Sequence, residues 1–330
     1  MKLQSNRIGW IESLRAIALL MVVVTHFIAR FCPELSVLWK TYSFALKGIS
    51  GKHGVAIFCV LIGFFSSKSS RSSFPTYLIR RYLQFAINIL VVLFPFSIVL
   101  SICMNAQFAG LITNMMNAVL DALLYRCSMN PTLWCVRDLF FGSLICFVLG
   151  NYCKHENKWK ELAFILALAL FMFFVDVWIA ICILGAGLRV TSEIVIKDRL
   201  KWIICALCVI AIPLLYRHEE SHKTYMLQGI SCCLFMYVCM CIYAYTTMHP
   251  KGWPRLRLLP FVGNISFYMF LWHTPVNIVL KTLDLGWNPW WLFAASFLCS
   301  MVLSIVQNWM NEKWIIPFYK RIQVDTVVKM

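Results

Sequence analysis

Apolar residues recur in ten long runs along the chain, at about 10–30, 54–66, 83–104, 132–150, 160–175, 176–189, 201–216, 226–246, 258–280 and 290–312. A helix needs roughly 20 apolar residues to cross the hydrocarbon core of a bilayer, so the pattern predicts an all-α, polytopic membrane bundle of about ten transmembrane helices. The stretch 108–126 is apolar on one side and polar on the other, which predicts an interfacial or re-entrant helix. Between Lys160 and Leu188 two readings stay open: Asp176 marks a tight turn between two spans, or it sits inside one long tilted helix. No repeat, linker or soluble segment interrupts the pattern, and 1–330 reads as a single integral-membrane domain.

Composition agrees with this picture, since 61% of the 330 residues are hydrophobic and only 13% charged. The net charge of +16 raises the question of nucleic acid, and the placement of the charges answers it. With the N-terminus inside, 20 of the 30 Lys and Arg fall in inner segments and eight in outer ones, while Arg15 and Arg137 lie within spans. That asymmetry is the positive-inside pattern; it predicts both termini in the cytoplasm and requires no nucleic-acid partner. The first apolar run is long, charged and without a small-residue cleavage site, so it reads as a retained first span rather than a signal peptide. The 15 cysteines are scattered mostly in apolar segments and read as small hydrophobes. Cys205 and Cys208 form a CxxC without a charged or histidine neighbour to lower a thiol pKa. His218, Glu219, Glu220 and His222 share a short loop, but no further ligand accompanies them and no metal site is expected.

Three ionisable residues in the first span need a reason, because each costs roughly 2.5–3.5 kcal/mol on insertion scales. Arg15 and His26 are eleven residues apart, a rise of about 16 Å and a rotation that returns to within about 20° of one face. Glu12 can pair with Arg15 from the preceding turn. Arg137 and Asp138 of the fourth run and His273 of the ninth fall at a depth similar to that of His26, in the outer half of the bilayer. Convergence of such groups from three spans points to a buried polar site. Arg80 and Arg81 open the third run; with Arg15 they make a basic patch suited to phosphate, which guanidinium groups bind in two-point geometry. Each residue also has a structural reading: snorkelling for Arg15, positive-inside anchoring for Arg80 and Arg81, a helix-end ion pair for Arg137 and Asp138, and an interfacial position beside Trp272 for His273. Gly51, Gly54 and Gly63 allow close helix approach in the second run, and His53 reads as solvent-facing.

The same stretches carry a resemblance. "WIESLRAIALLMVVVTH", "HGVAIFCVLIGFF", "YLIRRYLQF", "LWCVRDLF" and "ISFYMFLWHTPV" stand in the order seen in the acyltransferase 3 family of integral-membrane O-acyltransferases, which includes bacterial O-acetylases of surface polysaccharides. Each motif alone is weak, whereas five in order across nearly the whole chain are specific. The resemblance implies an acyl donor, acetyl-CoA or another acyl-CoA, used on the cytoplasmic side of the cell inner membrane. It also implies a carbohydrate or lipid-linked glycan acceptor on the other side, and that Arg15 and His26 matter most, with Arg81 next. The chain departs from the family pattern at Ala56, Ile62 and Gln84, which touches the second-span polar contacts and one donor-site arginine.

Together these readings predict transfer of an acyl group from a CoA thioester to a sugar hydroxyl. His26 is the candidate general base or acyl carrier. Arg137 stabilises charge or orients the acceptor, Asp138 fixes Arg137 or a histidine, and Arg15, Arg80 and Arg81 hold the CoA phosphates. His273, Trp272 and Glu12 are candidate acceptor contacts. A transporter or flippase of lipid-linked sugars is the competing class, although no inverted repeat of the kind common in transporters is visible.

Overall fold

The computed structural model describes residues 3–32, 51–67, 73–105, 107–153, 156–194, 198–215, 221–248 and 258–318. His218, Glu219 and Glu220 lie outside the described residues. Within them the chain forms twelve α-helices and no strand: α1 Leu3–Phe31, α2 Gly51–Ser66, α3 Phe74–Cys103, α4 Phe108–Ala122, α5 Leu133–Tyr152, α6 Lys158–Phe173, α7 Val177–Glu193, α8 Asp198–Leu214, α9 His222–Met248, α10 Leu258–Asn264, α11 Ser266–Leu283 and α12 Pro289–Met310. All ten predicted apolar runs are helical. Among the described residues, five helical stretches are long and apolar enough to cross a membrane by length and composition: Trp10–Phe31, Phe74–Cys103, Leu133–Tyr152, Lys223–Ile242 and Pro289–Phe318. The other runs form shorter helices. The ninth is split by a break at Ile265, after a Gly263–Asn264 pair that disfavours continued helix.

The open question at Asp176 is resolved as a tight turn. Its carboxylate accepts hydrogen bonds from Trp178 N at 2.8 Å and Ile179 N at 3.0 Å, capping α7 and satisfying two of the amides that a helix start leaves bare. The 108–126 stretch is α4, whose Phe108, Ile112, Met116 and Val119 form one exposed apolar face at helical spacing. Its opposite face carries buried Ala118, Asp121 and Ala122.

The chain divides into two compact units: Met1–Met21, Leu46–Arg71 and Asp138–Phe261 in the first; Val22–Ala45, Ser72–Arg137 and Val262–Met330 in the second. In the first unit α7 is the central helix, packed against α2, α6 and α9, while α8 packs on α9. Two glycines set the α2–α7 approach. A Cβ on Gly63 would overlap the Cys182 carbonyl, and one on Gly185 would overlap the Val60 carbonyl. Without a hydrophobic effect between helices in lipid, such backbone proximity supplies the dispersion contact that holds them. His53 is buried rather than solvent-facing, because α2 starts deep against α9, where Cys232 Sγ lies 3.9 Å from the His53 carbonyl. Cys205 and Cys208 pack with Val238 and Cys241 as a small apolar cluster.

Where α6 begins and α7 ends, charges tie the two helices. Lys158 meets Glu161 at 2.8 Å and Glu193 at 3.0 Å, and Arg189 meets Glu193 at 2.5 Å and the Ser67 carbonyl. Hydrogen bonds first to Glu161 and then to Glu193 raise the Lys158 ammonium above its ordinary value. Partial burial pushes the Glu193 carboxyl up, yet the hydrogen bonds from Lys158 and Arg189 bring it below its ordinary value. In the second unit α3 packs on α4 and α11, and α11 packs on α12.

Candidate functional site

His273 sits in the middle of α11 and is fully buried. Two residues later Pro275 stands inside the helix. Proline has no N–H, so the carbonyl of Leu271, four residues earlier, loses its helical partner. Asn130 supplies the replacement: its Nδ2 donates to Leu271 O at 3.3 Å. Asn130 is itself held on both sides. Its Oδ1 accepts from Thr132 N at 3.1 Å and Thr132 Oγ1 at 2.6 Å, an Asx turn that leads into α5.

Behind Asn130 lies Asp121, a fully buried carboxylate. It accepts from Ser128 N at 3.0 Å, Ser128 Oγ at 2.9 Å, Met129 N at 2.7 Å and Asn130 N at 3.4 Å. Four donors satisfy most of the lone pairs of a buried carboxylate, the condition under which such a group is tolerated. The α4 end that delivers it is a left-handed cap: Leu124 has φ 60°, with Tyr125 N bonded to Leu120 O and Leu124 N to Asp121 O. The turn between α4 and α5 is thereby fastened to the segment of α11 that carries His273.

The C-terminal part of α1, from Val22 on and also in the second unit, brings His26 to His273. Their rings lie 9° from parallel with centroids 5.1 Å apart, and His26 Nδ1 is 2.8 Å from His273 Nε2. Phe27 supports this placement by an edge contact with Phe293 of α12. The order of the hydrogen bonds follows from donor chemistry. His273 Nδ1 is 2.7 Å from the Phe270 carbonyl, which only accepts, so Nδ1 carries the proton. In the neutral ring Nε2 is then the acceptor, with Thr274 Oγ1 a second neighbour at 3.1 Å, and His26 Nδ1 is the donor. The chain carbonyl–His273–His26 leaves the lone pair of neutral His26 on Nε2, where it can accept a proton from a bound hydroxyl. A ring that holds another ring in one tautomer is how a base is prepared for transfer.

Arg30 follows His26 by one helical turn, on the same face of α1. Its Nη1 is buried and has no hydrogen-bond partner among the described residues. A guanidinium with an unused buried donor beside a base is suited to an anion that forms only during reaction. By position in the sequence Arg30 is one of the eight basic residues counted in outer segments, and its i+4 spacing from His26 is the signal the sequence offers.

The other expected residues are placed as follows. In the first unit Glu12 and Arg15 pair at 2.9 Å, and the Arg15 guanidinium lies 6.0 Å from the Phe65 ring centre. In the second unit Arg80 is exposed and Arg81 half-buried. Arg81 donates to Gln84 at 3.2 Å and lies over the Phe85 ring at 4.9 Å, so the residue that departs from the family pattern orients the arginine before it. Arg137 is an exposed residue of α5 and Asp138 a buried one. Trp272 uses its N–H on Gln307 at 2.8 Å, and Gln307 continues to Asn88 of α3, reaching its carbonyl at 3.0 Å. That bridge between α3, α11 and α12 braces the turn before His273 and was not legible as a motif.

A family model described as an acyltransferase domain matches residues 8–309. No curated protein and no solved structure matches the chain.

Proposed function

From the premise that the chain belongs to the acyltransferase 3 family and is a membrane acyltransferase, we propose that it moves an acyl group, acetyl in the first instance, from cytoplasmic acyl-CoA to a carbohydrate hydroxyl. The acceptor in this reading is a surface or lipid-linked glycan, and the membrane is the cell inner membrane with both termini inside. The hydrogen-bonded His26–His273 pair carries the proposal, because a base held in one tautomer suits activation of a hydroxyl and has no equivalent need in a passive path for sugars.

In the proposed step the acceptor hydroxyl gives its proton to His26 Nε2 as its oxygen bonds to the thioester carbonyl carbon. The oxyanion formed faces the Arg30 guanidinium. Collapse breaks the carbon–sulfur bond, and the leaving thiolate takes the proton from His26, giving an ester and free CoA. His273 acts through His26 as a positioning residue. Arg80 and Arg81 are proposed contacts for the donor's phosphates, and Arg15, eleven residues before His26 on one helix, is a further donor contact. Arg137 and Asp138 keep a proposed part in orienting the acceptor.

The test is transfer of label from radiolabelled acetyl-CoA to membrane glycan in inside-out vesicles at matched expression. The intact protein yields an alkali-labile product; His26→Ala yields none while still binding donor. Arg30→Gln lowers kcat about 10²- to 10³-fold with little change in KM, the size found for lost oxyanion donors. Arg15→Ala raises the KM for the donor. Near-normal turnover by well-folded His26→Ala would overturn the mechanism.

A further inference from the structure

Within the first unit, α6 and α8 flank an apolar cleft of about 460 Å³ floored by α7 and α9. Leu162 and Leu166 of α6, Gly187 and Leu188 of α7, Ile204 of α8 and Leu234 of α9 are among its lining. The packing explains the opening: α6 rests on α7, α8 rests on α9, and α7 rests on α9, so the space between α6 and α8 is covered by neither neighbour. Leu166 is an exposed lining residue, and Ile203 and Leu207, next in sequence to the lining residues Ile204 and Cys208 of α8, are exposed as well, as surfaces facing lipid are.

A space with walls this apolar stays dry and takes an apolar occupant. The mouth supplies the second requirement. Lys158, Leu162 and Leu166 stand at i, i+4 and i+8 on α6; Lys201, Ile204 and Cys208 stand at i, i+3 and i+7 on α8. Each wall of the cleft therefore ends, on its own cleft-facing stripe, in a lysine at the start of the helix. Lys158 already meets Glu161 and Glu193, and Glu193 is shared with Arg189, so Lys201 is the cation at the mouth with no ion pair among the described residues. Trp159 and Trp202, both exposed, adjoin these lysines in the arrangement that marks a headgroup layer.

We propose that this cleft is a binding site for one glycerophospholipid with an anionic headgroup, drawn from the leaflet at which α6 and α8 begin. A fatty chain fills the space between α6 and α8, and the phosphate sits between Lys201 and Lys158. The inference is independent of the transfer reaction.

The protein is purified in detergent, stripped of lipid, and titrated with phosphatidylglycerol or phosphatidylcholine of identical chains; lipid retained after washing is quantified by mass, and the melting temperature is followed. Phosphatidylglycerol is retained in preference and raises the melting temperature. A juxtamembrane lysine is worth about 1 kcal/mol toward anionic lipid, so Lys201→Glu reduces that preference about fivefold or more. Gly187→Leu fills the cleft and reduces retention of both lipids; a Cβ at Gly187 meets Ile165 at 3.4 Å and Leu162 at 3.6 Å, which the fold accommodates. Equal retention of the two lipids by the intact protein, or retention that neither variant changes, overturns the proposal. Lys201→Glu is a half-buried surface change that reports on the headgroup even where Gly187→Leu unfolds the unit.

Discussion

At the scale of single residues, the candidate site depends on one missing hydrogen. Pro275 cannot donate to Leu271 O, and Asn130 does so instead, which makes a residue of the α4–α5 turn a positioning residue for His273. Asn130→Asp keeps the acceptor for the Thr132 turn but sets an anionic oxygen against the Leu271 carbonyl. An unsatisfied buried acceptor costs about 1–3 kcal/mol; the variant lowers kcat at least tenfold, leaves the donor KM unchanged, and Asn130→Gln restores part of the rate. A purely structural role would instead lower the amount of folded protein and leave kcat per folded molecule intact, which active-site titration separates. His26, His273, Glu12 and Arg15 were legible in sequence because ionisable residues in apolar runs are conspicuous. Asn130 and Asp121 were not, since polar residues between spans look like any loop until a distant proline creates the need for them.

Helices are where small residues decide the outcome. Gly63 and Gly187 both line helix contacts in the first unit, yet they predict opposite responses to the same change. At Gly63 an added methyl overlaps the backbone carbonyl of Cys182, whereas at Gly187 it finds ordinary contact with two flexible side chains. Gly63→Ala forces α2 and α7 apart and costs about 1–3 kcal/mol, as overpacking does; Gly187→Ala is neutral within about 0.5 kcal/mol. Thermal unfolding of both variants in one detergent checks the pair. Equal loss of stability would show that the α2–α7 contact does not limit the fold. The tight turn at Asp176 belongs to the same scale: a single aspartate between two apolar runs is ambiguous in sequence, and the two amides its carboxylate caps make it a helix start.

For the whole molecule, charge and apolar length are the governing quantities. The proposed orientation counts ten crossings, an even number, so it puts the two ends of the chain on one face, and the excess of Lys and Arg in the segments it makes inner assigns that face to the cytoplasm. A protease-cleavable tag on either terminus is then protected in intact cells and cut in inside-out vesicles; unlike behaviour of the two tags would remove one span from the count. The amino-acid sequence by itself determined the membrane class, the positions of the helices and the residues whose burial demands a purpose, because hydropathy and helical period act locally and survive without knowledge of neighbours. Tertiary structure alone decided that His26 Nδ1 meets His273 Nε2, that Asp121 and Asn130 hold the α11 segment, and that α6 and α8 leave a cleft between them. Those are relations between residues up to 247 positions apart, set by which helix faces pack together, and packing in lipid is governed by shape and hydrogen bonding rather than by a hydrophobic pattern that a sequence displays.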